Sequence, residues 1–281
     1  MKTQTTDRES SSLRRPVLAG PVKFVTALAG MAMAAACSWA QTPVLHYGFP
    51  DSWNGTGTSV VDLSGAGHNG NVKATLALSS SVPGWATPGA QSINTSGGSI
   101  LTADTLLLNN ASIAAAGGFR FDTSFLWDGT DSASWGHVQK ILDYAGTESL
   151  QLVTRAGEAD LNVRFNDNVD VFSVTIQPNT WYQVSMLFET GGSAIDVDGN
   201  LAGTASLTIN GGAPLLAPAF KSNFGDSLNR GIGVGQLALS SHLVFFNGLI
   251  YDAQVTLVPE PTSLALVGIG GLVLLIRRKQ A

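Results

Sequence analysis

The sequence predicts an all-β domain, a sandwich or barrel of short antiparallel strands, set between two end segments of different character. Three observations carry this. From Val44 to Leu257 the apolar residues recur with period 2 rather than 3.6, the spacing of a strand with one buried face. The runs are short and end at Gly, Asn, Asp or Pro, the residues that turn a chain. Charged residues make up 12% of the 281 while Gly numbers 32, a balance that suits turn-rich β structure and not a helical bundle.

The strands read out one by one. Leu161, Val163 and Phe165 alternate with Asn162 and Arg164; Phe172, Val174 and Ile176 alternate with Ser173 and Thr175. Tyr182, Val184, Met186 and Phe188 alternate with Gln183 and Ser185, and Tyr251, Ala253, Val255 and Leu257 with Asp252, Gln254 and Thr256. Asn166-Asp167-Asn168 and Asn210-Gly211-Gly212 have the composition of hairpin turns. Many antiparallel strands buried on one side lead to a sandwich or barrel. Ala111 to Ala116 is the most helix-like patch, and a strand is an equal reading of it.

Charge is unevenly placed. Between Gln41 and Val258 there are 7 Lys+Arg and 17 Asp+Glu, a net −10, while the whole chain carries −5. Such a body has no footprint for nucleic acid, because phosphate binding needs Lys/Arg stripes. The single cysteine, Cys37, lies in the N-terminal apolar stretch. If that stretch is removed, no disulfide and no Cys-ligated metal is available, so a core must hold the exported domain together.

Residues 1–40 read as a signal peptide. Arg14, Arg15 and Lys23 precede the uncharged run Phe24 to Ala36, and Ser38 and Ala40 place small residues at −3 and −1, predicting cleavage between Ala40 and Gln41. A buried core helix is the alternative. Arg14-Arg15 lacks the rest of a twin-arginine signal, and Ala34-Ala35-Ala36-Cys37 lacks the Leu of a lipoprotein box. At the other end Val258-Pro259-Glu260-Pro261 precedes an uncharged segment, residues 262–276, and then Arg277, Arg278 and Lys279 within the tail 277–281. The segment is shorter than the about 20 residues of an ordinary spanning helix, so it crosses where the bilayer thins or the Arg side chains snorkel. The basic cluster holds the terminus on the cytoplasmic side, with everything before it outside.

Residues 258–281 resemble the PEP-CTERM sorting signal of Gram-negative bacteria in all three parts: Pro259-Glu260-Pro261, the short span and the terminal basic cluster. The resemblance implies an inner-membrane-anchored precursor held by the C-terminal helix. It also implies processing by an exosortase, a membrane cysteine protease that cuts near the motif, and delivery to the cell surface or extracellular matrix, where such proteins accompany exopolysaccharide.

The body, residues 41–257, carries a second resemblance. Val44-Leu45-His46-Tyr47-Gly48-Phe49, followed by Val61-Asp62-Leu63-Ser64-Gly65-Ala66-Gly67-His68-Asn69-Gly70, looks like the opening of LamG-like domains. Gly118-Phe119-Arg120-Phe121, Trp181-Tyr182-Gln183-Val184, Leu207-Thr208-Ile209-Asn210-Gly211 and Phe246-Asn247-Gly248-Leu249-Ile250-Tyr251-Asp252 resemble later strands of that family in the same order. The fold implied is a concanavalin A-like jelly roll of two antiparallel sheets. Tyr251 stands where the family has its first closing acidic residue.

Candidate sites follow. Gly65, Gly67 and Gly70 let the Asp62–Asn69 loop turn and expose carbonyls, and Ca²⁺ takes several carbonyl and carboxylate oxygens. Asp62 and Asn69, with Asp51 or Asp252 nearby, are the candidate ligands, as the LamG-like resemblance also implies; a turn capped by Asp62 and Ser64 is the other reading. Asp196-Val197-Asp198-Gly199-Asn200 departs from an EF-hand at Leu201 and Leu207 and reads as a solvated turn. Trp53, Trp85, Trp127 and Trp135 lie in Gly/Ser/Asp-rich segments, where exposed rings suit sugar stacking and covered ones form satellite clusters; Trp181 reads as core. Catalysis lacks its parts. Glu148, Glu158 and Glu189 are the only Glu of the body, Glu158 and Asp160 read as a hairpin turn, and His46, His68, His137 and His242 show no metal spacing.

The sequence therefore points to an exported, non-catalytic surface or matrix protein whose sandwich binds a polysaccharide or another envelope component, with or without Ca²⁺. A structural or adhesion component without a sugar site, and a glycan-degrading enzyme on the same fold, are the alternatives.

Overall fold

The computed structural model describes residues 41–102, 108–131, 137–144, 148–155, 158–165, 169–224, 231–236 and 245–259. The signal segment 1–40, Trp135, the turn at 166–168, His242, Glu260, Pro261, the span 262–276 and the basic tail 277–281 lie outside the described residues.

Two antiparallel sheets hold the strands, which are numbered in chain order. The nine-stranded sheet runs β14 (Leu215–Leu216), β13 (Leu201–Ile209), β12 (Trp181–Glu189), β7 (Gly118–Trp127), β17 (Gly248–Leu257), β5 (Ser92–Asn94), β4 (Ala77–Ser79). To it belong also β1 (Thr42–Gly48), paired to β17, and β15 (Phe220–Ser222), paired to β13. The eight-stranded sheet runs β11 (Val169–Ile176), β10 (Glu158–Phe165), β9 (Glu148–Arg155), β8 (Val138–Tyr144), β16 (Ile232–Val234), β6 (Gly98–Thr102), β3 (Gly70–Ala74), β2 (Ser59–Val60). The architecture is a β-sandwich.

Side-chain alternation explains the layering. Leu161, Val163 and Phe165 on β10, and Val184, Met186 and Phe188 on β12, are at most 1% exposed and face each other across the core. The densest part is aromatic: Phe188 lies 4.8 Å from Phe224 and 5.6 Å from Phe119, and Phe165 lies 4.7 Å from Phe220, centroid to centroid. Each fully buried ring of this kind contributes about 2–3 kcal/mol.

Two bulges break the alternation and change the reading of individual residues. On β17, Ile250 pairs with Phe125 but Asp252 pairs with Ser124, so Tyr251 has no opposite residue on β7. The bulge moves the core phase by one: Ile250, Ala253 and Val255 are buried, while Tyr251 is half-buried and out of step with them. Tyr251 therefore does not open the apolar row to which its spacing assigns it. On β8 the register shifts between Lys140 and Leu142, leaving Gln139 and Leu142 on the core side and Lys140 facing away. Trp181 falls on the outward phase of β12, opposite Leu126, and is half-buried.

The patch at 111–116 is helical. In α1 (Asn110–Ala116) the Asn109 side chain accepts from the Ser112 N–H at 2.8 Å and the Ser112 hydroxyl accepts from the Asn109 N–H at 3.1 Å. This capping box, with left-handed Gly117 (φ 103°) at the other end, fixes a short helix where the Ala run alone leaves two readings. After β13, Asn210 (φ 52°) and Gly211 (φ 67°) form the two positive-φ centres of a type I′ turn into β14, as the Asn-Gly pair predicts.

Candidate ligand-binding face

The Asp62 loop is built by one carboxylate. Asp62 Oδ1 accepts the backbone N–H groups of His46 and Ser64, each at 2.9 Å. Its Oδ2 accepts the Ser64 hydroxyl at 2.7 Å and the His68 N–H at 3.0 Å. Asp62 in turn donates its own N–H to Asn69 Oδ1 at 2.9 Å. Burial alone raises the Asp62 carboxyl, but the donors on Ser64, His46 and His68 outweigh it and hold the group below the usual carboxylate range. A carboxylate has about four lone-pair sites, and protein donors fill them all here. The residues therefore do not fit Ca²⁺ at Asp62: the carboxylate is the cap of a turn. Among the described residues, no three His, Cys, Asp or Glu side chains come together as a metal cluster. Asp51 is exposed, and Asp252 sits on β17 opposite Gly48 and Ser124, in the sheet rather than in the loop.

Asp252 is bonded by Ser124 and lies near a second acid, Asp122. Its Oδ1 is buried without a hydrogen-bond partner, and burial pushes its carboxyl up, against the lowering effect of Ser124 and of nearby His46. The Asp196 turn is a surface brace. Asp196 Oδ1 accepts from the N–H groups of Asp198 and Asn200, and Oδ2 meets Lys221 Nζ at 2.8 Å. Lys221 foremost, with those donors, lowers its carboxyl to about 2.

The tryptophans divide. Trp127 is 0% exposed and donates its indole N–H to Thr130 O at 3.0 Å; Trp53 is 5% exposed and donates to Gly57 O at 3.2 Å. Both rings are core, so neither offers a face to a sugar, contrary to their Gly- and Asp-rich setting. Trp85 is 50% exposed and keeps a free ring.

A different set of polar residues meets on the outer face of the eight-stranded sheet, where sequence reasoning placed no site. Cross-strand register aligns Asp143, Ser149 and Arg164 in one row and Lys140, Gln151 and Asn162 in the next. Their parity is opposite to that of Leu142, Leu150, Leu152, Leu161 and Val163, which face the core, so they point away from it. Yet Asp143 and Gln151 are 0% exposed, Ser149 2%, Asn162 7% and Lys140 8%. Lys140 Nζ lies 3.3 Å from Asp143 Oδ1 and donates to Ser149 Oγ at 2.7 Å; Ser149 Oγ donates to Gln151 Oε1 at 3.2 Å. Gln151 Nε2 is buried with no partner. A buried amide donor without a partner is an unmet polar valence on this face. The signal in the sequence is faint: Asn162 and Arg164 read as ordinary solvent-facing residues of an alternating strand.

Asp143 and Asp160 do not form a glycosidase pair. Asp160 shares the face, four residues along β10 from Arg164, where it accepts from Thr175 Oγ1 at 2.9 Å. Strand spacing puts it about 16 Å from Asp143, beyond the roughly 5–9.5 Å that glycoside hydrolysis requires. Glu158 is exposed at the turn end of the β9–β10 hairpin, opposite Arg155; it and Asp160 stand two residues apart on one face of β10, in the strand and not in the turn their composition suggests.

Residues 257–279 match the family model of the PEP-CTERM protein-sorting motif. No curated protein matches the sequence. Among solved structures the chain is similar to domain 4 of AbnA, a GH43 extracellular arabinanase from Geobacillus stearothermophilus, in complex with arabinotriose. Identity is 15%, covering 80% of this chain and 97% of that one, with a TM-score of 0.52. The binding domain of botulinum neurotoxin DC, in complex with SialylT, matches at 12% identity over 82% of this chain, with a TM-score of 0.43; the chain spans 52% of that one. A protein of unknown function from Shewanella oneidensis MR-1 matches at 11% identity over 86% of this chain and 96% of that one, with a TM-score of 0.42. The first of these likenesses shows the sandwich fold. The sorting motif implies exosortase-dependent export to the cell envelope.

Proposed function

We propose that this protein is a non-catalytic, ligand-binding sandwich of LamG-like type. It is exported through its N-terminal signal, held in the inner membrane of a Gram-negative cell by residues 262–276, and released or transferred by an exosortase acting near Pro259-Glu260-Pro261. Its ligand is a glycan of the envelope or matrix. The observation that carries the reading is the outer-face array of Lys140, Asp143, Ser149, Gln151 and Asn162: amide, hydroxyl and ion-paired groups in two register rows, one amide donor unmet. Hydrogen-bonding groups of this kind suit sugar hydroxyls, and Asp143 and Asp160 are too far apart to cleave a glycosidic bond together. That a domain of the same fold occurs in complex with arabinotriose supports the class of ligand. The test is a glycan array probed with the full chain in detergent, wild type beside Asn162→Ala. Saturable binding weakened by the substitution supports the reading. Binding that Asn162→Ala leaves intact moves the site off this face, and reducing-end release from a bound glycan would replace the lectin with an enzyme.

A second reading, a matrix or adhesion component, is favoured by one edge. Strand β11 is 8 residues long and uncharged from Val171 to Ile176, whereas β2, β4 and β14 have two or three residues and the outer edge of β1 is bonded at His46 by Asp62 and Leu63. Long uncharged edges pair with other strands. Concentration-dependent assembly abolished by Ser173→Lys would support it.

A further inference from the structure

We propose that the sandwich stands end-on upon the membrane that holds its own C-terminal span, with the turn of the β12–β13 hairpin, Ile195 and Val197 foremost, seated in the lipid headgroups. The inference rests on the anchoring by residues 262–276 proposed above and deepens it from an attachment to a surface of contact.

The argument starts from where the chain leaves the fold. Strand β17 ends at Leu257, which pairs with Phe119 on one side and with Thr42 on the other. The Val258 N–H then donates to Gly118 O at 3.0 Å, so the chain is held to the sheet up to that residue. Thr42 opens β1, one residue after Gln41, where the sequence predicts the signal segment to end. Both apolar end segments therefore join the body at one place, on neighbouring strands. From Val258 to Thr262, the first residue of the span, there are four residue steps, at most about 14 Å of chain. The headgroup layer on one side of a bilayer is about 5–7 Å thick. A tether that short brings this end of the sandwich to the lipid surface.

What projects from this end is the hairpin turn. Glu189 pairs with Gly118 and with Thr204, at the level of Val258. Strand β13 begins at Leu201, three residues farther out, so the turn reaches about 10 Å past that level, in the direction the tail leaves. There Val197 is 102% exposed and Ile195 40%. The turn is braced from within: Asp196 accepts the N–H groups of Asp198 and Asn200, and Asn110 at the start of α1 donates its side-chain N–H to Gly199 O. Apolar side chains held out in water in this way gain free energy by entering the interface. The acids beside them are offset. Lys221 meets Asp196 at 2.8 Å and also lies within the field of Asp198, and its exposed side chain brings a positive charge to lipid phosphate. The outer faces of the sheets carry polar residues instead, Arg120 and Asp122 on one and Asn162 and Arg164 on the other. An end-on stance leaves both faces open to the matrix.

The experiment places single fluorophore-labelled cysteines in the full chain on a Cys37→Ser background. The chain is reconstituted into phosphatidylethanolamine–phosphatidylglycerol vesicles whose headgroups carry a quencher. Val197→Cys reports the hairpin turn, Leu216→Cys the edge strand β14, and Thr180→Cys the far end of β12. All three positions are exposed, so the labels leave the core intact, which thermal melting checks. The expected result is a strong loss of fluorescence at 197 and little at 216 or 180. A loss at 216 or 180 as large as that at 197 would lay the sandwich on its side and overturn the inference. No loss at 197, in chains that stay with the vesicles through alkaline carbonate extraction, would overturn it as well, leaving an anchored sandwich that stands clear of the surface. Chains that carbonate strips from the vesicles would remove the anchoring reading itself, and this one with it.

Discussion

Asp62 Oδ1 accepts the backbone N–H of His46 at 2.9 Å, so a carboxylate in the loop after β2 fixes the outer edge of β1. Through the same side chain the loop also holds Ser64 and His68. Asp62→Ala leaves those donors without an acceptor and costs about 3 kcal/mol, measured by urea unfolding at pH 7. The carboxyl is held below its ordinary value, so the stability it supplies is present above about pH 4 and lost as pH falls through the folded-state pKa. Asp62→Asn flattens that acid limb. Added Ca²⁺ leaves the wild-type melting temperature unchanged if the loop is a capped turn; a rise lost in Asp62→Asn would restore the metal reading.

Asp252 titrates in the opposite sense. Burial raises its carboxyl, so the folded chain holds that proton more tightly than the unfolded one. The group therefore destabilises the fold at neutral pH, and the penalty fades as pH drops below about 4, where both states are protonated. Asp252→Asn raises the melting temperature at pH 7, and the gain shrinks in acid. A drop at pH 7 would mean that the buried Oδ1 has a role its lack of a partner conceals.

Lys140 and Asp143 form the buried ion pair of the outer face. Lys140→Met leaves Asp143 charged and uncompensated and destabilises by about 3–5 kcal/mol. The double variant Lys140→Met, Asp143→Leu recovers much of that loss in a denaturant cycle, because the penalty belongs to the orphaned charge. Additive single effects would show that the two do not interact.

Gly70 on β3 packs against Tyr47 of the other sheet. A Cβ there would stand 2.5 Å from Ile100 Cγ2 and 2.7 Å from Tyr47 Oη, which donates to His68 O at 2.8 Å. Gly70→Ala must displace both and lowers stability by about 2 kcal/mol, read as a fall in melting temperature.

Trp127 and Trp85 separate core from surface. Trp127→Ala empties a wholly buried site and costs about 4 kcal/mol. Trp85→Ala changes unfolding free energy by no more than about 0.5 kcal/mol. Should Trp85→Ala nevertheless weaken glycan binding, its ring is a second contact.

Much of the fold was legible. Each of β10, β11 and β12 buries one face, so their apolar residues had to alternate, and the Asn-Gly pair after Ile209 specified its turn. The bulges were not legible: that Tyr251 has no opposite residue on β7 depends on the partner strand, which local spacing does not record. Trp53 and Trp127 read as loop aromatics because their neighbours are polar, yet the chain folds them inward. The outer-face array escaped notice because its members come from three strands and look, one strand at a time, like solvent-facing residues.

By itself the sequence determined what is local or periodic: strand phases, turn chemistry, the acidic balance of the body, and the Pro-Glu-Pro motif with its short apolar run and basic end. These depend on residues a few positions apart, so they survive without a partner. Tertiary structure decided what depends on registration between distant segments. It made Asp62 a cap with every lone pair taken, buried one oxygen of Asp252, and set Lys140, Ser149 and Gln151 side by side with one amide donor unmet. Hydrogen bonds are short-ranged and directional, so whether a carboxylate or an amide is a brace or a site is settled only when the strands have found their register.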